Sequence, residues 1–190
     1  MDIEKAIRER RAYRSLEPVK ITKDLVKDLA ESIQLAPSCY NNQPWRFVFV
    51  YEDEALKKMH TALTPGNKWA QHASMIVAVF SRIDYDCQLR GRDYYLFDTG
   101  IATAFLILRA TELGLVAHPI AGFSEEVAKK VLEIPEDMKV ITLVIFGKHS
   151  KEIADYLSEE QVKLERKRPE RLPLRDFAYS DKYGSGVTGS

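Results

Sequence analysis

Four arginines, Arg8, Arg10, Arg11 and Arg14, crowd about one and a half helical turns near the start of the chain. Guanidinium groups hold phosphate by paired, charge-assisted hydrogen bonds, so a convergent set of them can build a phosphate site. The same spacing also suits a plain solvated basic face. Ser15, Leu16, Glu17 and Pro18 come next, where a continuing helix would need different residues. A second candidate is the stretch 36–45. It gathers the hydroxyl of Ser38, the amides of Asn41, Asn42 and Gln43, and two prolines between apolar flanks. Amides both donate and accept, which suits the mixed edge of a flat heterocycle, although turns are made of the same residues. The third is His118-Pro119-Ile120-Ala121-Gly122-Phe123. Small residues at Ala121 and Gly122 let a ligand approach the backbone and accept from its N–H groups. A tight link from strand to helix would look the same. Arg171-Leu172-Pro173-Leu174, in a polar tail, says little alone.

Patterns of self-sufficient catalysis are missing. There is no GxSxG, no HExxH and no Walker loop, and Gly66-Asn67-Lys68 lacks the preceding glycine frame. The four histidines are scattered, so no metal site is expected, and His118 beside a strand end reads as structural. Cys39 and Cys87 give no disulfide framework and no metal-ligand spacing. A chain without its own nucleophile or acid–base pair fits one whose cofactor supplies the reactive atoms.

The elements that must position these residues come from a chain of 190 residues, 45% hydrophobic and 29% charged, enough for one domain with a real core. Lys+Arg and Asp+Glu both total 28, so the formal net charge is zero. That balance argues against a general nucleic-acid binder, which needs a basic excess. The first 14 residues are charged throughout, and the longest apolar run, 75–80, is far short of the roughly 20 residues of a membrane span. A cytoplasmic protein without a membrane partner is the expectation. Apolar spacing predicts helices over 2–10, 22–35, 53–63, 93–113 and 124–131, and strands over 46–50, 75–80 and 140–146. Gly114 stands where a C′ glycine closes the longest helix, whose part 100–108 is apolar nearly all round. The order ααβαβααβ supports an α+β or α/β layered domain. From 158 to 171 the chain is highly charged, as in an exposed helix leading to an arm or packing on a partner. Residues 184–190 are small and read as flexible.

Taken together, these segments resemble the nitroreductase family across residues 3–177. Arg10-Arg11-Ala12-Tyr13-Arg14 is similar to its opening Arg-Arg-Ser-x-Arg. Ala36-Pro37-Ser38-x-x-Asn41-x-Gln43-Pro44-Trp45 is similar to its second signature, the most specific of the four. Asp98-x-Gly100, Gly114-Leu115 and Pro119-Ile120-x-Gly122-Phe123 resemble the third, and Arg171-Leu172-Pro173 resembles the tail that returns to the phosphate.

The resemblance implies an α+β domain over 1–177 with a central, mostly antiparallel sheet flanked by helices, and a short flexible tail over 178–190. It implies an intertwined homodimer with two FMN sites at the seam. Arg10 and Arg171 would grip the phosphate, with Arg11 alongside and Ala12 offering backbone. Arg14 would lie near the pyrimidine edge of the ring, where a fixed cation favours reduced flavin. Pro37, Ser38, Cys39 and Asn41 would come from the other subunit. Pro119, Ile120, Ala121 and Gly122 would line the N5 region, and Asn67 or Lys68 would reach the ring or ribityl chain. NADH or NADPH would donate hydride, and an electron-poor nitroaromatic or quinone would then take it from the same place. Two departures stand out. Ala12 replaces a serine, at about 0.5–1.5 kcal/mol for one hydrogen bond, and Ala121 replaces a glutamate that some members carry. Other flavin chemistry on the same scaffold (reductive dehalogenation, dehydrogenation, flavin fragmentation), a non-catalytic flavin binder, and a flavin-free dimeric domain are the alternatives.

Overall fold

The computed structural model describes residues 2–187. Along the chain lie α1 (Ile3–Glu9), β1 (Leu16–Glu17), α2 (Lys23–Gln34), β2 (Arg46–Val50), α3 (Asp53–His60) and β3 (Met75–Ser81). A short hairpin of β4 (Gln88–Leu89) and β5 (Arg92–Asp93) leads into α4 (Tyr94–Glu112). β6 (Val116–Ile120), α5 (Glu125–Leu132), β7 (Lys139–His149) and α6 (Glu159–Arg166) complete the order.

The long strand β7 organises the sheet. It pairs antiparallel with β3, with β6 and, at its end, with β1, while β2 extends the sheet beyond β3. A bulge interrupts the β3–β7 ladder at Val79/Phe80. Side chains alternate across this sheet. Met75, Val77 and Val79 face a core built with α2 and α4, including Leu29, Ile33, Ala102 and Leu106. Ile76, Ala78 and Phe80 face the opposite core, with Leu56, Met59, Trp69 and Ala128. The result is an antiparallel sheet between two helical layers, an α+β fold.

Local chemistry sets the helix ends. Thr22 Oγ1 accepts the Leu25 N–H at 3.1 Å, and Ser158 and Gln161 form a reciprocal capping box on α6. α4 stops at Gly114, whose φ of +75° is open to glycine. There the Leu115 N–H donates back to Ala110 O at 2.9 Å and the Gly114 N–H to Thr111 O at 3.0 Å.

Three expectations are corrected. Residues 116–120, to which the apolar spacing assigns no element, form a strand; Pro119 lacks a ladder donor, and β6 is an edge strand where that lack is tolerated. Residues 159–166 form the expected helix, which is not simply solvent-exposed but packs back on its own chain through Leu164 and Glu165. Cys39 and Cys87, 48 residues apart, form a disulfide with Cα atoms 6.2 Å apart. In the tail, Tyr179 and Gly186 form an isolated bridge; residues 188–190 of the expected flexible end lie outside the described residues. No described helix is long and apolar enough to cross a membrane.

Candidate functional site

Residues 10–15 leave α1 and run towards the sheet, and α6 folds back to hold them. The Glu165 side chain, 2% exposed, accepts the Arg14 N–H at 2.6 Å and the Ser15 N–H at 3.4 Å. Arg11 answers from the other side, donating Nη2 to the carbonyls of Leu164 at 2.7 Å and Glu165 at 3.1 Å. It also lies 4.5 Å over the Tyr13 ring, which stacks on His149. Arg168 then donates Nη2 to Arg8 O at 2.6 Å and Arg10 O at 2.8 Å, tying the residues after α6 to the end of α1.

These contacts enclose a cavity of 170 Å³ lined by Arg10, Arg11, Ala12, Arg14, Arg168 and Arg171, with Leu164 and Pro169. Among the described residues, the guanidinium groups of Arg10, Arg14 and Arg171 have no hydrogen-bond acceptor and no carboxylate partner. Burial, then Arg168 and Arg171, push the Arg10 pKa down from its usual value. Burial likewise lowers that of Arg14, against the opposing pull of Glu165. Cations held together at such a cost are the electrostatic mark of an anion site. Ala12 sits exposed at the lip, and its backbone N–H has no acceptor among the described residues.

Arg14 carries the site onward. Its guanidinium lies 5.7 Å from the ring centre of buried Trp69, which stacks on His118 at 4.7 Å. His118 Nδ1–H donates to Tyr13 O at 3.1 Å, which fixes the tautomer, because a carbonyl can only accept. Burial, aided by Arg14 and Arg10, brings the His118 pKa down to about 4, so it stays neutral and structural.

Trp69 Nε1 donates to Asn67 Oδ1 at 3.1 Å, and Asn67 Nδ2 donates to Gly122 O at 3.0 Å. Thr64 Oγ1 donates to the same carbonyl at 2.8 Å. A Cβ at Gly122 would stand 2.7 Å from Thr64 Oγ1 and closer still to Asn67 Nδ2, so a larger residue would push both side chains off the Gly122 carbonyl. Thus Asn67, expected to reach a ligand, holds Gly122 in place. The N–H groups of Ala121 and Gly122 donate to no described residue, and Ala121 is exposed. Ile120 is buried in the core and Pro119 is exposed on the edge strand.

The loop 36–44 lies elsewhere. Pro37, Ser38 and Cys39 line a separate cleft of 320 Å³ with Leu89, Tyr94, Phe97, Asp98 and Ile101, sharing no residue with the arginine cavity. Asn41 is exposed on the same loop. One chain therefore presents two separate clefts. Of the aromatics left open by the sequence, Trp69 lies beside Arg14 of the first cleft and Tyr94 lines the second. Tyr95 is buried, and Tyr40 is 86% exposed.

Sequence reasoning passed over Arg168 and Glu165. Both stood inside a charged run (Arg166-Lys167-Arg168 among them), and only tertiary packing separates them from their neighbours.

The Nitroreductase family model matches residues 7–73 and 60–148. A protein of Archaeoglobus fulgidus, provisionally named an NADH dehydrogenase/NAD(P)H nitroreductase, is 30% identical over 151 residues, covering 75% of this chain and 83% of that protein. Among solved structures, one described as an oxidoreductase containing FMN superposes with a TM-score of 0.82 at 25% identity, covering 97% of this chain and 94% of the other. A nitroreductase family protein from Clostridium novyi has a TM-score of 0.74 at 22% identity, over 98% and 97% of the two chains.

Proposed function

The chain belongs to the nitroreductase family, and on that premise we propose that it binds FMN and moves hydride from NADH or NADPH to an electron-poor acceptor, a nitroaromatic or a quinone. The observation that carries this reading is the set of three unpaired guanidinium groups, Arg10, Arg14 and Arg171, around one small cavity. The donor set suits a flavin nucleotide. Cations without partners suit its phosphate, the free N–H pair of Ala121 and Gly122 suits an acceptor atom on a flat ring, and the glycine leaves room for close approach. FMN, when bound, supplies a ring that takes hydride at N5 and gives it up again.

The chain supplies binding and electrostatics. Arg10 and Arg171 would hold the phosphate, and Arg168 would add positive potential while its hydrogen bonds fix the backbone beneath. Arg14, steadied over Trp69, would set a cation towards the pyrimidine edge, which favours reduced flavin. Ala121 and Gly122 would offer their N–H groups to the N5 region. Hydride exchange there would need no acid–base side chain of this chain.

The second half-site, Pro37, Ser38, Cys39 and Asn41, completes the flavin site of a partner subunit in a homodimer. Support comes from apolar side chains left uncovered on α1, α2 and α4: Ile3 is 65% exposed, Leu35 78% and Phe97 64%. The 430 Å³ groove between these helices, lined by Ile3, Ala6, Leu35, Phe105 and Leu108, continues the same face.

Anaerobic addition of NADH or NADPH to the yellow protein tests the reading. Loss of flavin absorbance within seconds, restored by a nitroaromatic or quinone, is the expected result. Persistent colour points to a flavin binder without turnover, and a colourless protein that takes up no added FMN removes the proposal altogether.

A further inference from the structure

We propose that Cys39 and Cys87 form a redox-active pair, open to thiol–disulfide exchange with a small thiol, whose oxidised state holds the loop 38–43 in the shape that serves the flavin site. The proposal rests on the flavin reading, since that loop matters to FMN only if the reading is right.

Three residues of the loop adopt left-handed backbone without being glycine: Tyr40 at φ 48°, Asn41 at 58° and Gln43 at 50°. Asparagine enters this region readily, but Tyr40 and Gln43 hold it only where the surroundings impose it. The constraints on this loop are few and local. The Cys39 N–H donates to Asp98 Oδ2 on α4 at 2.6 Å, the Gln43 N–H to Ser38 Oγ at 2.9 Å, and Asn42 Nδ2 to Asp86 Oδ1 at 3.2 Å. The disulfide is the covalent member of this set, and it fastens the loop to the segment that enters the β4–β5 hairpin. Cutting it leaves the strained turn on hydrogen bonds alone.

The surroundings also accommodate the reduced form. Asp86 is 8% exposed, and its Oδ2 is buried without a hydrogen-bond partner. Ligand atoms of Asp86, Cys39 and Cys87 all lie within 4.8 Å of one another. Reduction would place two S–H groups within 4.8 Å of a carboxylate oxygen of Asp86. Burial, with Asp86 beside it, also raises the Asp98 pKa from its ordinary value. Each redox state thus has its own compensation, as a two-state element requires.

In the flavin-free protein, access runs through the 320 Å³ cleft that Cys39 lines, the space that the partner's flavin would otherwise close, and it is of a size for a small thiol rather than a folded protein. The exchange balances. A thiolate RS⁻ attacks the Cys39 sulfur, the S–S bond breaks, and Cys87 leaves as thiolate and takes a proton. A second RS⁻ attacks the mixed disulfide, RSSR departs, and Cys39 is protonated. Two RSH are oxidised and two protein thiols form.

The test uses the full-length protein equilibrated with glutathione at a series of reduced-to-oxidised ratios. Alkylation and intact mass report the thiols, limited proteolysis at Tyr40 reports the loop, and FMN titration reports the site. The expected result is a joint gain of two labels across the series, with at least tenfold faster cleavage at Tyr40 and at least tenfold weaker FMN binding in the reduced form. Cys87→Ser should match the reduced protein and ignore glutathione; should it fail to fold, the reduced wild type carries the comparison. The proposal is overturned by alkylation of both thiols in the oxidised buffer, by glutathione failing to open the bond, or by equal cleavage in the two states. Equal FMN affinity in both states overturns it too, while leaving the flavin reading intact. If neither state binds FMN, the flavin reading fails, and the loop's role at that site fails with it, whatever the labels show.

Discussion

Replacing Arg10 with methionine should separate binding from folding. Methionine keeps an unbranched stem of similar reach, so packing along the end of α1 is largely retained, while the charge is deleted. In the free protein this guanidinium donates to no described group and is pressed by burial and by its like-charged neighbours Arg168 and Arg171. Deleting it therefore removes an unfavourable charge, and apo-protein stability should stay within about 0.5 kcal/mol of wild type or rise. With FMN the sign reverses. A charge-assisted hydrogen bond to phosphate from a half-buried cation is worth about 2 kcal/mol, so the Kd should weaken roughly thirtyfold. Flavin fluorescence quenching on titration gives the Kd, and urea denaturation of stripped protein gives the stability. Unchanged Kd together with a loss of more than about 1 kcal/mol in the apo-protein would refute the reasoning, because Arg10 would then be structural.

Glu165→Ala leaves the buried N–H groups of Arg14 and Ser15 without an acceptor, and should cost about 3 kcal/mol, or roughly 6–12 °C in Tm; a fall below about 2 °C in calorimetry speaks against the latch. His118 has a folded pKa of about 4, below its unfolded value, so its neutral form adds stability that is fully present above the unfolded pKa and lost as pH falls towards 4. Urea unfolding at pH 7 and pH 4 should show a drop on the order of 3 kcal/mol from this group. His118→Asn should flatten that slope without abolishing it, since burial also lowers His60 and His149; an unchanged slope removes the assignment. Finally, co-refolding Arg10→Met with Asn41→Asp should restore about one quarter of the wild-type FMN sites, because random pairing gives half heterodimers, each with one intact site. No recovery would place both half-sites of a flavin on one chain.

Much of the architecture was legible because it is periodic. The all-buried strand 75–81, the long helix and its closing Gly114 each have a local signature that tertiary structure merely completes. β6 lacked one: Pro119 breaks the strand pattern, and its place at an edge is a property of the sheet, not of the five residues. The disulfide was invisible for a related reason, since a sequence separation of 48 carries no record of which loops meet. The site was legible in its residue types and not in their division of labour. Arg11 and Arg14 look alike in sequence, yet Arg11 is committed to the carbonyls of Leu164 and Glu165 while Arg14 is free. Asn67 was found as a polar residue in the right region, but both ends of its amide are used inside the protein.

That division of labour explains how a chain of zero net charge keeps a concentrated positive site. Glu165 acts on Arg14 through space but makes no salt bridge with an arginine among the described residues. Its carboxylate instead accepts from the backbone of Arg14 and Ser15, which shapes the loop and leaves the guanidinium hydrogen bonds unspent. Arg11 and Arg168 bond to main-chain carbonyls, which are neutral, so they brace the wall without surrendering their charge. Two arginines therefore build the cavity and three face into it, and all five contribute positive potential. Because the bracing contacts are to backbone, Lys cannot replace Arg11: a single ammonium lacks the planar fork that spans Leu164 O and Glu165 O while also meeting the Tyr13 hydroxyl.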